Sequence, residues 1–356
     1  MKLFTVGPVQ MYPNTLAVGK EQIPYFRTKE FSDMMLESDS ILKELIGTSQ
    51  KSKCIYLTAS GSGAMEATVL NCFTPADKLL VINGGNFGQF FADICALNNI
   101  PYTEVKLEYG EVLNEEHLKE HENKGYTGLL VNLHETSTGQ LYNVELLSDF
   151  CKRNNMIFVV DAISTFLADP YYMDKYNIDV TIISSQKGLC LSPGLAMVIL
   201  NEKMVERVKQ IDYKSFYFGF NDYLLNFERG QTPHTPCVGI LMELNDMLKH
   251  IKKEGIEKRL AHVKELSTHF RKEVRRLNVT IPEYPLSNAI TPIFFEDAVS
   301  QKLFDVLKNQ YGIFVNPASA IAKDREKQIK VAHIGNLTIQ DNVELINTIQ
   351  MILQEQ

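Results

Sequence analysis

The chain of 356 residues has no tryptophan, and its six cysteines never form a CxxC pair. Without paired spacing there is little support for a zinc site or a disulfide framework, so no metal is expected. Cys54, Cys72, Cys95, Cys151, Cys190 and Cys237 sit mostly among apolar neighbours, which suits reduced core thiols and a cytoplasmic location. Long apolar runs are missing too: no stretch approaches the roughly 18 residues that would cross a bilayer, and no membrane partner is expected. The opening residues carry a Gly7-Pro8 break instead of the apolar run of a secretion signal. Excess positive charge is also absent, since 36 Lys and Arg against 43 Asp and Glu leave a net charge of −7. The densest basic stretch, Lys249 to Lys253, is interleaved with apolar residues like one face of a helix. Nucleic-acid binding, which relies on clustered Lys and Arg, is therefore disfavoured.

With 45% hydrophobic and 22% charged residues, what remains is an ordinary globular composition, and the length suggests two domains. From about residue 53 to 235 short apolar runs alternate with longer amphipathic ones, the pattern of strands and helices around a parallel sheet. Seven strands are expected: Cys54 to Thr58, Lys78 to Asn83, Tyr102 to Val105, Gly128 to Leu133, Met156 to Asp161, Val180 to Ser184 and Ala196 to Leu200. Helices are expected at Gly63 to Cys72, Asn86 to Asn98, Asn114 to Glu122 and Asn143 to Asn154. After Pro236 the pattern changes to a long amphipathic helix, Val238 to Leu277, with a break at Gly255. Strands near Ile290 to Phe295 and Ile329 to Ile334 then bracket another helix, and a closing helix spans Gln340 to Leu353. The fold expected is α/β, with an N-terminal arm over 1–15, a large domain over 16–254 and a smaller α+β domain over 255–356.

An open parallel sheet delivers the last residues of its strands to one edge, where ligands bind. Three polar clusters fall there. Thr58-Ala59-Ser60-Gly61-Ser62-Gly63-Ala64 leads into a helix, whose free amides and dipole suit a phosphate. It lacks the third glycine of a dinucleotide fingerprint, because Glu66 stands in that place, and it lacks the Gly-Lys-Ser/Thr ending of a P-loop. Asp161-Ala162-Ile163-Ser164 puts a carboxylate at the end of an apolar strand, where burial would raise its pKa unless a cation or a donor faces it. Ser184-Ser185-Gln186-Lys187-Gly188 follows another apolar strand with a lysine, and a lysine at such a place either reaches solvent or has chemistry to do. Asp161 and Lys187 are separated by one crossover, so both should arrive beside the Gly-Ser turn. A phosphate site, a buried acid and a lysine together match the needs of pyridoxal phosphate.

The series Ser60-Gly61-Ser62-Gly63, Asn86-Phe87-Gly88-Gln89, His134-Glu135-Thr136-Ser137-Thr138-Gly139, Val160-Asp161-Ala162, Ser185-Gln186-Lys187-Gly188 and Thr232-Pro233-His234-Thr235-Pro236 resembles class V pyridoxal-phosphate aminotransferases. The nearest in kind are the alanine/serine–glyoxylate and 2-aminoethylphosphonate–pyruvate transaminases, and the likeness runs through nearly the whole chain, including Thr5-Val6-Gly7-Pro8. This resemblance implies a fold type I transferase with pyridoxal 5'-phosphate as cofactor. It also implies a homodimer with shared active sites, acting on a small amino donor and a 2-oxo acid.

By the same resemblance Lys187 is the Schiff-base lysine and Asp161 the acid beside the pyridine nitrogen. Phe87 is the ring stacked on the cofactor, and Thr136 lies near its phenolic oxygen. Ser62, Gly63, Ala64 and Gln186 would contact the phosphate, with Thr235 supplied by the neighbouring subunit. Lys330, in Lys330-Val331-Ala332-His333-Ile334-Gly335, stands where the family usually has a carboxylate-gripping arginine, which keeps the charge but loses the bidentate fork. His333 and Arg27 could assist there, or could be structural. Two other readings stand beside this one. A lyase or desulfurase on the same cofactor would need a nucleophilic cysteine in the C-terminal part, yet Cys237 is the last cysteine. The other is a non-catalytic binder of a phosphate metabolite.

Overall fold

The computed structural model describes residues 1–212 and 215–355. Its strands are β1 (Lys2–Phe4), β2 (Lys53–Leu57), β3 (Leu79–Asn83), β4 (Tyr102–Lys106), β5 (Gly128–Asn132), β6 (His134–Glu135), β7 (Gln140–Leu141), β8 (Ile157–Asp161), β9 (Val180–Ser184), β10 (Ala196–Leu200), β11 (Ile290–Phe294), β12 (Ile313–Pro317) and β13 (Gln328–Ala332). The large sheet has seven strands in the order β2-β10-β9-β8-β5-β3-β4. Each strand expected from the sequence between 53 and 235 is there, its ends displaced by at most one residue.

Strands such as Leu79–Asn83 and Ile157–Asp161 read as unbroken apolar runs because both faces of the sheet are covered. Alternate residues feed two cores: Leu80, Ile82, Leu129, Val131 and Phe158 face one side, and Leu79, Val81, Leu130, Val159 and Ile182 the other. The sheet is parallel except at β10, which runs antiparallel to both β2 and β9. Leu57 and Ser184 therefore flank the same residue, Ala196, so the C-terminal ends of β2 and β9 lie at one edge. Asp161 reaches that edge opposite Asn132.

The helix expected over Asn114 to Glu122 is only Glu115–Lys119, because Asn114 lies outside it as the cap and the chain turns through left-handed Asn123 and Gly125 soon after. The long C-terminal helical stretch is divided at Gly255, φ 93°, into Val238–Glu254 and Ile256–Glu273. A second sheet, β1-β12-β13-β11, packs its own core around Phe4, Phe270, Ile293, Leu303, Ile329 and Leu345. β11 and β13 are the strands expected from the sequence. The first of the four is Lys2–Phe4, so the opening residues of the expected arm are an edge strand, paired in parallel with β12.

Candidate active site

At the shared strand edge a cleft is lined by Ser60, Gly61, Ser62, Met65, Phe87, His134, Thr136, Asp161, Ile163, Ser164, Gln186 and Lys187. The helix Gly61–Cys72 opens into it. Ser60 caps that helix, its hydroxyl accepting from the Gly63 amide at 3.4 Å. The Ala64 amide donates to the Ser60 carbonyl at 3.2 Å, so it is not free for a ligand, and the Ala64 side chain is fully buried. First-turn amides have no helical acceptor, and Gly61 and Ser62, whose amides have no hydrogen-bond partner among the described residues, both line the cleft. Of the trio Ser62, Gly63 and Ala64, only Ser62 lines it.

Asp161 is buried at the end of β8, and its Oδ1 accepts from the Ile163 amide at 2.8 Å. Its Oδ2 has no hydrogen-bond partner among the described residues. Burial pushes its pKa from 3.8 up to about 7, against the pull of the Ile163 amide and of Lys187, while Glu135 adds to the rise. Lys187 enters the same cleft from the loop after β9, and its amine makes no hydrogen bond among the described residues. Desolvation lowers it from 10.5 to about 8, opposed by the charge of Asp161. Acid and amine thus each have one open side, and both open sides belong to one space.

Phe87 sits in the first turn of the helix Asn86–Leu97, half-buried at the cleft wall. The buried carboxylate of Glu135 holds that turn: its Oε2 accepts from the amides of Phe87 (3.1 Å) and Gly88 (3.2 Å) and from Asn132 Nδ2 (3.0 Å). Ser137 donates to the other oxygen through its amide, at 3.1 Å, and through its hydroxyl. Gly85 lets the carboxylate come this close, since a Cβ there would run into Glu135 and Ser137.

Thr136 is buried on the cleft wall, and its carbonyl accepts from Lys330 Nζ at 3.3 Å. Lys330 itself lies behind the lining, its amine brought down to about 8 by desolvation, with Glu135 pulling it up and Lys187 pushing it down. Gln186 lines the cleft beside Lys187. Thr235 does not; it belongs to another groove, with Val18, Ile23, Cys237, Ile240 and Met242. Arg27 donates to Gln231 Oε1, the Thr232 carbonyl and the Pro233 carbonyl, which is a structural role. His333 is fully buried against Thr291, with the same reading. Cys237 stands just before the helix Val238–Glu254 in the Thr235 groove, makes no capping bond with its side chain, and has its thiol raised by burial, so it has neither the place nor the ionisation of a nucleophile.

The cleft wall also holds the first residue of the segment His134 to Gly139, a residue for which the family resemblance implies no role. His134 is 2% exposed, neither ring nitrogen has a hydrogen-bond partner of ordinary length among the described residues, and desolvation, opposed by the Ser164 backbone, brings it down to about 3, so the ring is neutral. The signal that picks out Asp161 and Lys187, a polar residue just past an apolar strand, applies to it equally. Ser164 and Ile163, from the cluster that begins at Asp161, complete the wall with Met65, which no sequence signal distinguishes from a core residue.

Residues 14–341 match the family model described as aminotransferase class-V. An uncharacterized aminotransferase of Methanocaldococcus jannaschii is 28% identical over 360 residues, covering 99% of this chain and 92% of its own length. An L-aspartate–glyoxylate aminotransferase of Paracoccus denitrificans is 25% identical over 375 residues, covering 99% and 91%. Among solved structures, an alanine–glyoxylate aminotransferase from Nostoc sp. superposes with a TM-score of 0.92 at 23% identity, covering 99% of this chain and 94% of that one.

Proposed function

The chain belongs to the class-V aminotransferases, and from that premise we propose that it moves an amino group from a small donor to pyruvate or glyoxylate. The donor is 2-aminoethylphosphonate, alanine or serine, and the two half-reactions alternate in one cleft. Enzymes of the family depend on pyridoxal 5'-phosphate, which when bound supplies a carbonyl for amine capture and an electron-withdrawing ring. The donor set suits that group. The free amides of Gly61 and Ser62 at a helix start, with Ser62 and Gln186 side chains nearby, favour a phosphate dianion. Gly63 and Ala64 contribute by shaping that turn, since their amides are bonded to Ser60.

Asp161, pushed toward neutrality by burial, would hold the cofactor's ring nitrogen in its protonated form by returning to the ionised state beside it. Phe87 offers a ring face and Thr136 a hydroxyl. Lys187, near 8, has an appreciable neutral fraction at physiological pH, so it would serve as the nucleophile toward the carbonyl the cofactor supplies and, as a free amine, as the group that moves a proton to and from the donor carbon. Lys330 would supply a point charge toward the substrate carboxylate, its ammonium having further N–H donors beside the one bonded to the Thr136 carbonyl.

The observation that carries the proposal is that Asp161 and Lys187, each with an open side, share a cleft with the free end of the helix Gly61–Cys72. A homodimer fits the same reading: Thr235 lies in an apolar groove, and Ile23, Tyr25 and Phe216 are large exposed apolar side chains. The test is a panel of the three donors against holoenzyme. One donor alone should change the cofactor absorbance, and pyruvate or glyoxylate should restore it. No change with any of the three would overturn the proposed donor class.

A further inference from the structure

The N-terminal segment passes directly over the cleft lysine. A Cβ built on Gly7 would lie 2.7 Å from Lys187 Cδ, 2.7 Å from Cε and 2.8 Å from Nζ, closer than real side chains approach. The end of Lys187 thus occupies the place where any other residue at position 7 would put its side chain. The segment is held on both sides of this contact. Before it, Lys2–Phe4 is paired with β12, and the Val6 amide donates to Asn316 Oδ1 at 2.8 Å. After it, the Gln10 carbonyl accepts from the Asn336 amide at 2.8 Å, and Gln10 Oε1 accepts from the Leu3 amide at 3.0 Å. Asn316 stands opposite Lys330 in the pairing of β12 with β13. The strap over the lysine is therefore fixed to the small sheet at the residue facing Lys330.

We propose that Gly7 is a positioning residue: the absence of a side chain on this anchored strap sets where the Lys187 amine rests. Gly7 lies outside the left-handed region, so alanine is compatible with its backbone. With the strap pinned, the added methyl displaces what can yield most easily, the flexible end of Lys187. The substitution should be mild for folding and severe for the amine, a combination that a purely structural glycine would not give. The inference rests on Lys187 being the reactive amine, but its first readout needs no cofactor.

Gly7→Ala protein freed of cofactor is treated with dilute acetic anhydride across a pH series, and acetylation of Lys187 is measured by peptide mass against Lys330 in the same sample. The melting temperature should stay within about 2 °C of the parent. The ratio of Lys187 to Lys330 labelling should change at least about threefold, and kcat of the reloaded enzyme should fall at least about tenfold with KM little altered. Asn316→Ala, which loosens the strap, should change Lys187 labelling, read against the exposed Lys302, in the absence of any added methyl. Parental labelling and kcat in Gly7→Ala would overturn the proposal. So would a Gly7→Ala protein that fails to fold together with an Asn316→Ala protein of parental labelling. Failure of the aminotransferase reading would appear separately, in the donor panel.

Discussion

Asp161 is a carboxylate sealed in the protein with one backbone donor and one unanswered oxygen. Its folded pKa of about 7 lies above its ordinary 3.8, so between those values the folded chain binds more protons than the unfolded one. Cofactor-free protein should therefore lose stability as pH rises from about 4 to about 7, with the full penalty present above that. Asp161→Asn keeps the acceptor for the Ile163 amide and removes the charge. Thermal melts of the cofactor-free variant should show a gain at pH 8, on the order of 4 kcal/mol at most, that vanishes near pH 4. The same variant, loaded, should turn over at least about a hundredfold more slowly. A variant destabilised at pH 8 would contradict the account of the site. The placement of Asp161 and Lys187 at one strand edge was legible because each follows an apolar strand, which leaves the polar residue at that edge. The amide of Ala64 was not. The expected helix begins at Gly63, whereas the helix begins at Gly61, and those two residues bring Ala64 within reach of the Ser60 carbonyl.

The helix Gly61–Cys72 has two jobs that a single substitution can separate. An aspartate in place of Ser62 would sit in the first turn, where a negative charge stabilises a helix by about 0.3–1 kcal/mol, yet it would face the phosphate. Ser62→Asp should melt no lower than the parent without cofactor and bind pyridoxal phosphate at least about tenfold more weakly by spectrophotometric titration. Equal affinity would remove the phosphate from this helix end. At the start of Asn86–Leu97, Glu135 does the corresponding work for Phe87. Glu135→Ala leaves the amides of Phe87 and Gly88 without their acceptor and should cost roughly 2–4 kcal/mol in denaturant unfolding. The strands of the large sheet were readable because they are apolar runs bounded by turns. Lys2–Phe4 was not, since three residues carry no periodicity and their partner in β12 lies at the other end of the chain. The helix Lys29–Ile46 has clear end signals, a Thr28 cap and left-handed Gly47, but it precedes the alternation of strand and helix that frames the sheet.

For the whole molecule, the large sheet packs two cores and the small sheet a third, Ile290 of β11 and Ala332 of β13 join the large sheet's core, and the cleft is lined by residues between Ser60 and Lys187. Among the described residues no helix is long and apolar enough to cross a membrane. If the groove holding Thr235 is covered by a second copy, the protein should sediment with the mass of two 40.5 kDa chains, and Ile23→Asp should shift it toward one. Sedimentation of the parent as a monomer at micromolar concentration would count against shared active sites. The central claim concerns which buried amine meets the cofactor, and Lys187 has a rival, because Lys330 is also lowered to about 8. Borohydride treatment of the holoenzyme, followed by peptide mass mapping, distinguishes them. The cofactor mass should be fixed on the peptide containing Lys187 and be absent from Lys187→Ala; mass found on Lys330, or on neither lysine, would contradict the account.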